Sequence, residues 1–284
     1  MKSICIKTNN LTSLQYLQNE LNQIDLNQIC YSCNQFKNYK NIIIHYVGNN
    51  NKLFVKKISQ ILSLFIIDEL EESFFNRIII HNYFYFDYLE RKQILELCYD
   101  LNISDFSDIF NTKFNILCNC FYKYLINNKT LILDGFINFR LKSYIDLLND
   151  IVVEAINNFI VEKEYLEFIS LLKLYVNSQP NNINQVHIIY SEQESILLDD
   201  NKEIISNSNE QFNAKYLSDI SFSSNDYTLN SLLTLLPNRI NIHLIDNYID
   251  EFINTLKAVF ESRIYICSDC NICRIYKKNV KAKN

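Results

Sequence analysis

The chain has 284 residues and a net charge of -5 at pH 7, where a protein built wholly for nucleic acid would carry a basic excess over one face. Its 2 glycines exclude the G-x-G-x-x-G, Walker and G-x-S-x-G signatures, because each needs glycines for a tight turn or a close backbone approach. A conventional dinucleotide enzyme, NTPase or α/β-hydrolase is excluded with them.

A chain this long buries roughly three quarters of its unfolded surface and needs no disulfide staples. The start, MKSICIKTNN, has no apolar core of signal-peptide length, so the nine cysteines point to the reducing cytosol. The apolar run 58–67, broken by Ser59, Gln60 and Ser63, is far short of the ~20 residues that span a bilayer. Abundant Asn, Ile, Tyr and Phe fit AT-rich coding, and the Asn runs at 49–51 and 181–184 read as loop filler.

Residues 3–8 alternate apolar and polar and predict a strand. Leu11, Leu14, Leu17, Leu21 and Ile24 recur at helical spacing, with Asn10 or Thr12 as cap. Strands are expected at 29–33 and 42–47, the second closed by Gly48 and three asparagines. Residues 53–70 predict a helix buried along Phe54, Ile58, Ile61, Leu62, Phe65 and Ile66. The acids at its end, Asp68, Glu69, Glu71 and Glu72, have the wrong sign for a helix dipole, which fits a solvated end or a continuing helix. Residues 78–86 form a strongly aromatic run in which His81 stands in a strand context, as His45 does in its own. Helices are expected at 88–99 and 111–127.

The longest clean helical period follows. Leu141, Tyr144, Leu148, Ile151, Val152, Ala155, Ile156 and Phe159 share one face, and Phe168, Ile169, Leu172, Tyr175 and Val176 resume it. Asp134 and Gly135 mark its start and Pro180 its stop. A single helix over 136–177 would run roughly 60 Å. Three charges, Glu162, Lys163 and Glu164, fall where the apolar seam should pass, so the pattern predicts a break there and two antiparallel helices.

After Pro180 the chain turns to strands at 186–190 and 195–198, the latter in a hairpin with 203–205, and then a polar loop at 206–211. A helix at 225–236 with Ser224 as cap, a strand at 239–244, a helix at 246–260 and a strand at 263–267 complete it. The last strand–helix–strand unit predicts a parallel pair with a right-handed crossover. The fold class is therefore α+β: an N-terminal α/β sandwich (1–128), a central long helical hairpin (129–180), a C-terminal mixed α/β module (181–274) and a disordered basic tail (275–284).

The segments GFINFRLKSY (Gly135 to Tyr144), FIVEKEYLEFI (Phe159 to Ile169), LLKLYV (Leu171 to Val176), VHIIY (Val186 to Tyr190), INIHL (Ile240 to Leu244) and VFESRIYICSDCNIC (Val259 to Cys273) occur in that order. Together they resemble the YtxC-like family of sporulation proteins of endospore-forming Firmicutes, over residues from about 130 to 274. The resemblance implies a sporulation setting, a Gram-positive cytoplasm and another sporulation protein as partner. It carries no reaction, cofactor or catalytic residue that can be transferred.

The sharpest chemical feature is Cys267-x-x-Cys270-x-x-Cys273, three thiols that can ligate one ion. Zinc needs a fourth ligand, for which Cys30, Cys33, Cys118, Cys120, His45, His81, His187 and His243 are candidates. An iron–sulfur cluster would usually add a fourth cysteine followed by Pro, which is missing. The bland reading is three small residues at a strand end without metal, and a thiol–disulfide role is a lesser option.

The charged group Glu162, Lys163, Glu164 and Tyr165, with Arg140 and Lys142 earlier, reads as a polar cluster. Its bland reading is a solvated junction with surface ion pairs worth ~0–1 kcal/mol each. His187 and His243 sit centrally in expected strands and would converge if those strands are neighbours. Arg274, Lys277, Lys278, Lys281 and Lys283 place five positive charges in the last eleven residues, either a solubilising terminus or a contact for an anionic partner. The expected function is a non-enzymatic interaction or regulatory protein, with an optional structural zinc at the cysteines. The alternatives are an enzyme, or a degenerate one, using His187, His243 and the Glu162 cluster, and nucleic-acid binding through the basic tail.

Overall fold

A computed structural model of the chain describes residues 2–23, 29–36, 39–104, 106–191, 194–205, 223–267 and 269–281. The polar loop expected at 206–211, Ile24 of the first helix and Lys283 of the tail lie outside them. The architecture is α+β, with two small sheets and one long helix. It divides into two compact units, Met1–Val161 and Glu162–Asn284.

In the first unit β1 (Lys2–Thr8) alternates as the sequence demands, with Ile4, Ile6 and Thr8 buried. It pairs antiparallel with β3 (Tyr39–Tyr46), which pairs antiparallel with β2 (Ile29–Phe36). A three-residue strand, β4 (Thr130–Ile132), joins the other edge of β1 in parallel. Helix α1 (Leu11–Gln23) buries Leu17 and Leu21. Helix α2 (Asn51–Phe65) starts where Asn50 Oδ1 accepts the Leu53 N–H at 3.0 Å.

The helix expected over 53–70 does not end at Leu70. A π-helical turn, Ile66–Leu70, carries it directly into α3 (Glu71–Asn82). The buried residues Leu62, Ile66, Glu71, Phe75 and Ile79 show why: one step of five among steps of four. A π turn holds one residue more than an α turn, so it restores the apolar face after the slip. The acids at 68–72 thus lie within a continuing helix. His81 stands in the exposed last turn of α3, not in a strand. Ile78 and Ile79 are in phase with the buried stripe while Ile80 faces solvent, and packing overrides the strand preference of the run. Helices α4 (Tyr88–Ser104), α5 (Phe106–Leu125) and α6 (Leu133–Arg140) complete the unit.

The central hairpin does not form. Lys142–Ser178 is one helix, α7. No Gly or Pro interrupts it, and Glu and Lys at 162–164 are good helix formers. These three side chains are exposed. The apolar seam lapses there because the helix serves two cores in turn. Tyr144, Leu148, Val152, Ala155 and Phe159 pack into the first unit, and Ile169 and Val176 into the second.

The second unit is a four-stranded sheet of order β6-β5-β7-β8. Strands β5 (Ile183–Ser191), β7 (Pro237–Leu244) and β8 (Ile264–Cys267) run parallel, and β6 (Glu194–Leu198) pairs antiparallel with β5. An isolated bridge joins Leu198 to Ile204 where a strand was expected. Helix α8 (Ser224–Leu235) opens with a Ser223–Asp226 capping box, and α9 (Glu251–Phe260) with Asp250 accepting the Ile253 N–H. One face of the sheet buries Val186, Ile188, Ile240 and Ile242 against Leu232, Leu256 and Phe260. On the other face a smaller hydrophobic cluster of Ile189, Leu198 and Ile245 packs with Ile272 and Cys273. These last two belong to α10 (Asn271–Lys281), a helix where the sequence predicts a disordered tail up to its end. Among its described side chains Arg274 is exposed, and Ile272, Cys273 and Tyr276 form an apolar edge that meets the sheet. Among the described residues no helix is long and apolar enough to cross a membrane.

Candidate metal centre

Strand register sets the first two ligands. β7 and β8 place His243 directly opposite Cys267, so both side chains leave the same face of neighbouring strands. The chain then turns into α10. The carbonyl of Cys270 accepts the backbone N–H of Arg274 at 3.0 Å, which puts Cys270 at the helix start and Cys273 in its first turn. A spacing of three brings the two thiols onto one side of the helix, facing the sheet.

The four groups converge. Cys270 Sγ lies 3.7 Å from Cys273 Sγ, and Cys273 Sγ lies 3.9 Å from Cys267 Sγ. His243 Nδ1 is 3.3 Å from Cys273 Sγ and 3.4 Å from Cys270 Sγ. All four candidate ligand atoms lie within 4.8 Å of one another. A tetrahedral ion with metal–sulfur bonds of about 2.3 Å and a metal–nitrogen bond of about 2.0 Å spaces its ligands by ~3.8 Å (S to S) and ~3.5 Å (S to N). The donor set therefore fits a single metal ion.

The protonation states fit as well. Burial holds the His243 imidazolium down, with His187 and Lys202 adding to it, so its pKa falls to about 4 and the ring is neutral. Burial pushes the Cys273 thiol up to about 11. Burial also opposes ionisation of Cys270, but the Cys273 backbone N–H and the neighbouring thiols outweigh it and lower its pKa. A bound cation deprotonates coordinating thiols outright.

His187 joins the centre from β5. Its Nδ1 is 3.0 Å from His243 Nε2, and the rings lie nearly parallel with centroids 5.3 Å apart. The other candidate ligands lie elsewhere. Cys30 and Cys33 are exposed on β2, Cys118 and Cys120 are half-buried on α5, and His45 Nδ1 lies 2.8 Å from Ser3 Oγ.

The polar cluster spreads out. Arg140 is exposed and stacks on the Tyr124 ring at 5.2 Å. Glu162, Lys163 and Glu164 are exposed on α7, and the Tyr165 hydroxyl meets Thr255 Oγ1 at 2.8 Å. Arg274 pairs with Asp269 at 3.0 Å. One constellation was missed by the sequence reading. In the first unit Glu71, Lys113 and Tyr144, all buried, form a network in which Lys113 Nζ lies 2.7 Å from Glu71 Oε1 and Tyr144 donates to Glu71 Oε2. The available signal was an acid five residues after Ile66 on the apolar stripe.

A family model for the YtxC-like family matches residues 56–265. A Bacillus subtilis (strain 168) protein described as "Uncharacterized protein YtxC" is 29% identical over 136 residues. The match covers 46% of this chain and 48% of that protein, so the chain spans about half the length of the curated relative it matches. No solved structure matches the chain. Of the four candidate ligands, His243 lies within the matched span and the three cysteines lie just beyond it.

Proposed function

The chain belongs to the YtxC-like family, and from that premise we propose a cytoplasmic, non-enzymatic protein of sporulating cells whose C-terminal unit is stapled by one structural zinc ion. The observation that carries the zinc is the convergence of His243, Cys267, Cys270 and Cys273 within 4.8 Å. Three thiolates and one imidazole make a closed tetrahedral set, with no position left for a substrate or an activated water.

The staple has a mechanical task. Among the described side chains of α10, Ile272, Cys273 and Tyr276 pack on the second face of the sheet, a small apolar contact for an eleven-residue helix. Isolated helices of that length are marginal in water. Metal binding supplies folding free energy directly, because a preformed site does not exist in the unfolded chain. The zinc would fix α10 against β7 and β8 and so present a defined surface to a partner, which the family setting suggests is another sporulation protein.

The test is metal content of anaerobically purified protein beside a Cys267/Cys270/Cys273→Ser triple variant. About one zinc per chain, lost in the variant together with thermal stability, is expected. Protein free of metal in both forms would end the zinc reading. Iron with visible absorbance would replace it with a redox centre. The sporulation setting is tested apart, by counting heat-resistant spores in a deletion strain, where an unchanged yield would oppose it.

A further inference from the structure

Resting on the metal centre proposed above, we infer that His187 is its positioning residue: it accepts the Nε2–H of His243 and thereby fixes Nδ1 of His243 as the metal-binding atom. Parallel register places His187 opposite Asn241 and Ile189 opposite His243. His187 and His243 are thus diagonal neighbours on the same face of adjacent strands. The two ring nitrogens of His243 meet different chemistry. Nδ1 points at the Cys270 and Cys273 sulfurs, at 3.4 and 3.3 Å. Nε2 points at His187 Nδ1, at 3.0 Å.

A neutral imidazole carries one proton, and a nitrogen that holds it cannot ligate. Two arrangements satisfy the contacts. With its proton on Nδ1, His243 donates to a thiolate and accepts from His187. With its proton on Nε2, His243 donates to His187 and leaves the Nδ1 lone pair in the midst of the three sulfurs. Only the second can hold a metal, and it requires His187 Nδ1 to be an acceptor, with the His187 proton on Nε2. Groups that orient a ligating histidine in this way hold both its tautomer and its ring angle. His187 is half-buried and His243 is 3% exposed, so little water is at hand to take over the bond.

The experiment compares full-length protein with His187→Leu, which removes the acceptor, and His187→Asn, which returns an oxygen acceptor near the place of Nδ1. Zinc affinity is read by competition with a chromophoric chelator. The Leu variant should bind zinc about 10–100-fold more weakly, and the Asn variant within about threefold of the parent. Nitrogen-15 correlation spectra of the parent should show His243 metal-bound at Nδ1 and protonated at Nε2. They do not depend on either variant folding. A Leu variant with parental affinity, or an Asn variant as weak as Leu, overturns the role of His187 while leaving the metal centre standing. A parent with His243 bound through Nε2 does the same. A parent that takes up no zinc overturns the metal centre and this role together.

Discussion

Tyr144 donates its phenolic hydrogen to Glu71, a residue 73 positions earlier, inside the core of the first unit. Lys113 holds the second oxygen of the same carboxylate at 2.7 Å and lies 5.4 Å from the centre of the Phe75 ring. A charge pair with side chains 3% and 7% exposed stabilises little net of its desolvation, but each partner is costly to remove alone. Lys113→Met should destabilise the first unit by about 3–5 kcal/mol, and Glu71→Leu with Lys113→Met and Tyr144→Phe, which removes all three polar groups together, should recover most of that. Urea unfolding of the parent, the single variant and the triple variant checks it. A single variant as stable as the parent would show that the carboxylate is not charged and buried as described.

The same network sets a response to base. Burial, then the Glu71 charge and its hydrogen bond, raise the Tyr144 phenol far above its usual range, and burial with Glu72 and Glu71 pushes Tyr99 up to about 12. In the unfolded chain these phenols ionise near 10. Above that pH the unfolded state has released protons that the native state still holds, so stability present below pH ~10 is lost as pH rises. Tyrosinate absorbance and far-ultraviolet circular dichroism, followed together from pH 9 to 12, should show Tyr144 ionising only as the helices melt. Full ionisation near pH 10 with helices intact would contradict the buried hydrogen bond.

Glu164→Pro probes the continuity of α7. Proline inside a helix removes a hydrogen bond and clashes with the preceding turn, at a cost of about 3 kcal/mol or more. A loss of that size in thermal or urea unfolding is expected. A hairpin with its turn at 162–164 would accept the substitution with little change.

Much of this fold is legible in the sequence, and the failures share a cause. Alternation in β1, β5 and β7 and the stripes of α2 and α9 report burial on one face, which is a local signal. Three features depend on what lies across from them. The charges at 162–164 look like a break because a single helix changes cores there. The π turn looks like a helix end because its five-residue step falls out of period. Helix α10 looks like a tail because the described part of its apolar edge is three side chains wide. The cysteine triplet can be picked out by spacing, but His243 becomes its fourth member only through the register of β7 and β8. His243 was one of eight candidates, and nothing short of strand pairing separates it from the rest.

Thiol chemistry should sort the nine cysteines by place. Cys98 is 0% exposed, and burial pushes its thiol up to about 12, so it offers no thiolate to an alkylating reagent at neutral pH. Cys30 and Cys33 are exposed. Iodoacetamide labelling of native protein, read by peptide mass, should modify Cys30 and Cys33 first and Cys98 only after unfolding. Cys267, Cys270 and Cys273 should react faster once a chelator is added. Rapid labelling of Cys98 in native protein would contradict its burial.

Chelation should also act locally. Removing the metal should speed amide hydrogen exchange in 271–281 and in β8 and leave 2–8 unchanged. Equal loosening of both units would mean that the ion supports the whole chain and not one helix.

The π turn at 66–70 has a consequence for comparing this chain with its kin. Because it holds one residue more than an α turn, dropping one residue there would return a plain helix and keep both flanks on their original faces. The same loss between 51 and 65 would rotate everything after it by about 100° and carry Glu71 and Phe75 off the core. A one-residue gap between relatives is therefore best placed at this turn when their sequences are aligned. Where the residue lost is Asp68, the carboxylate that accepts the Tyr16 hydroxyl at 2.7 Å goes with it, while the buried stripe keeps its phase.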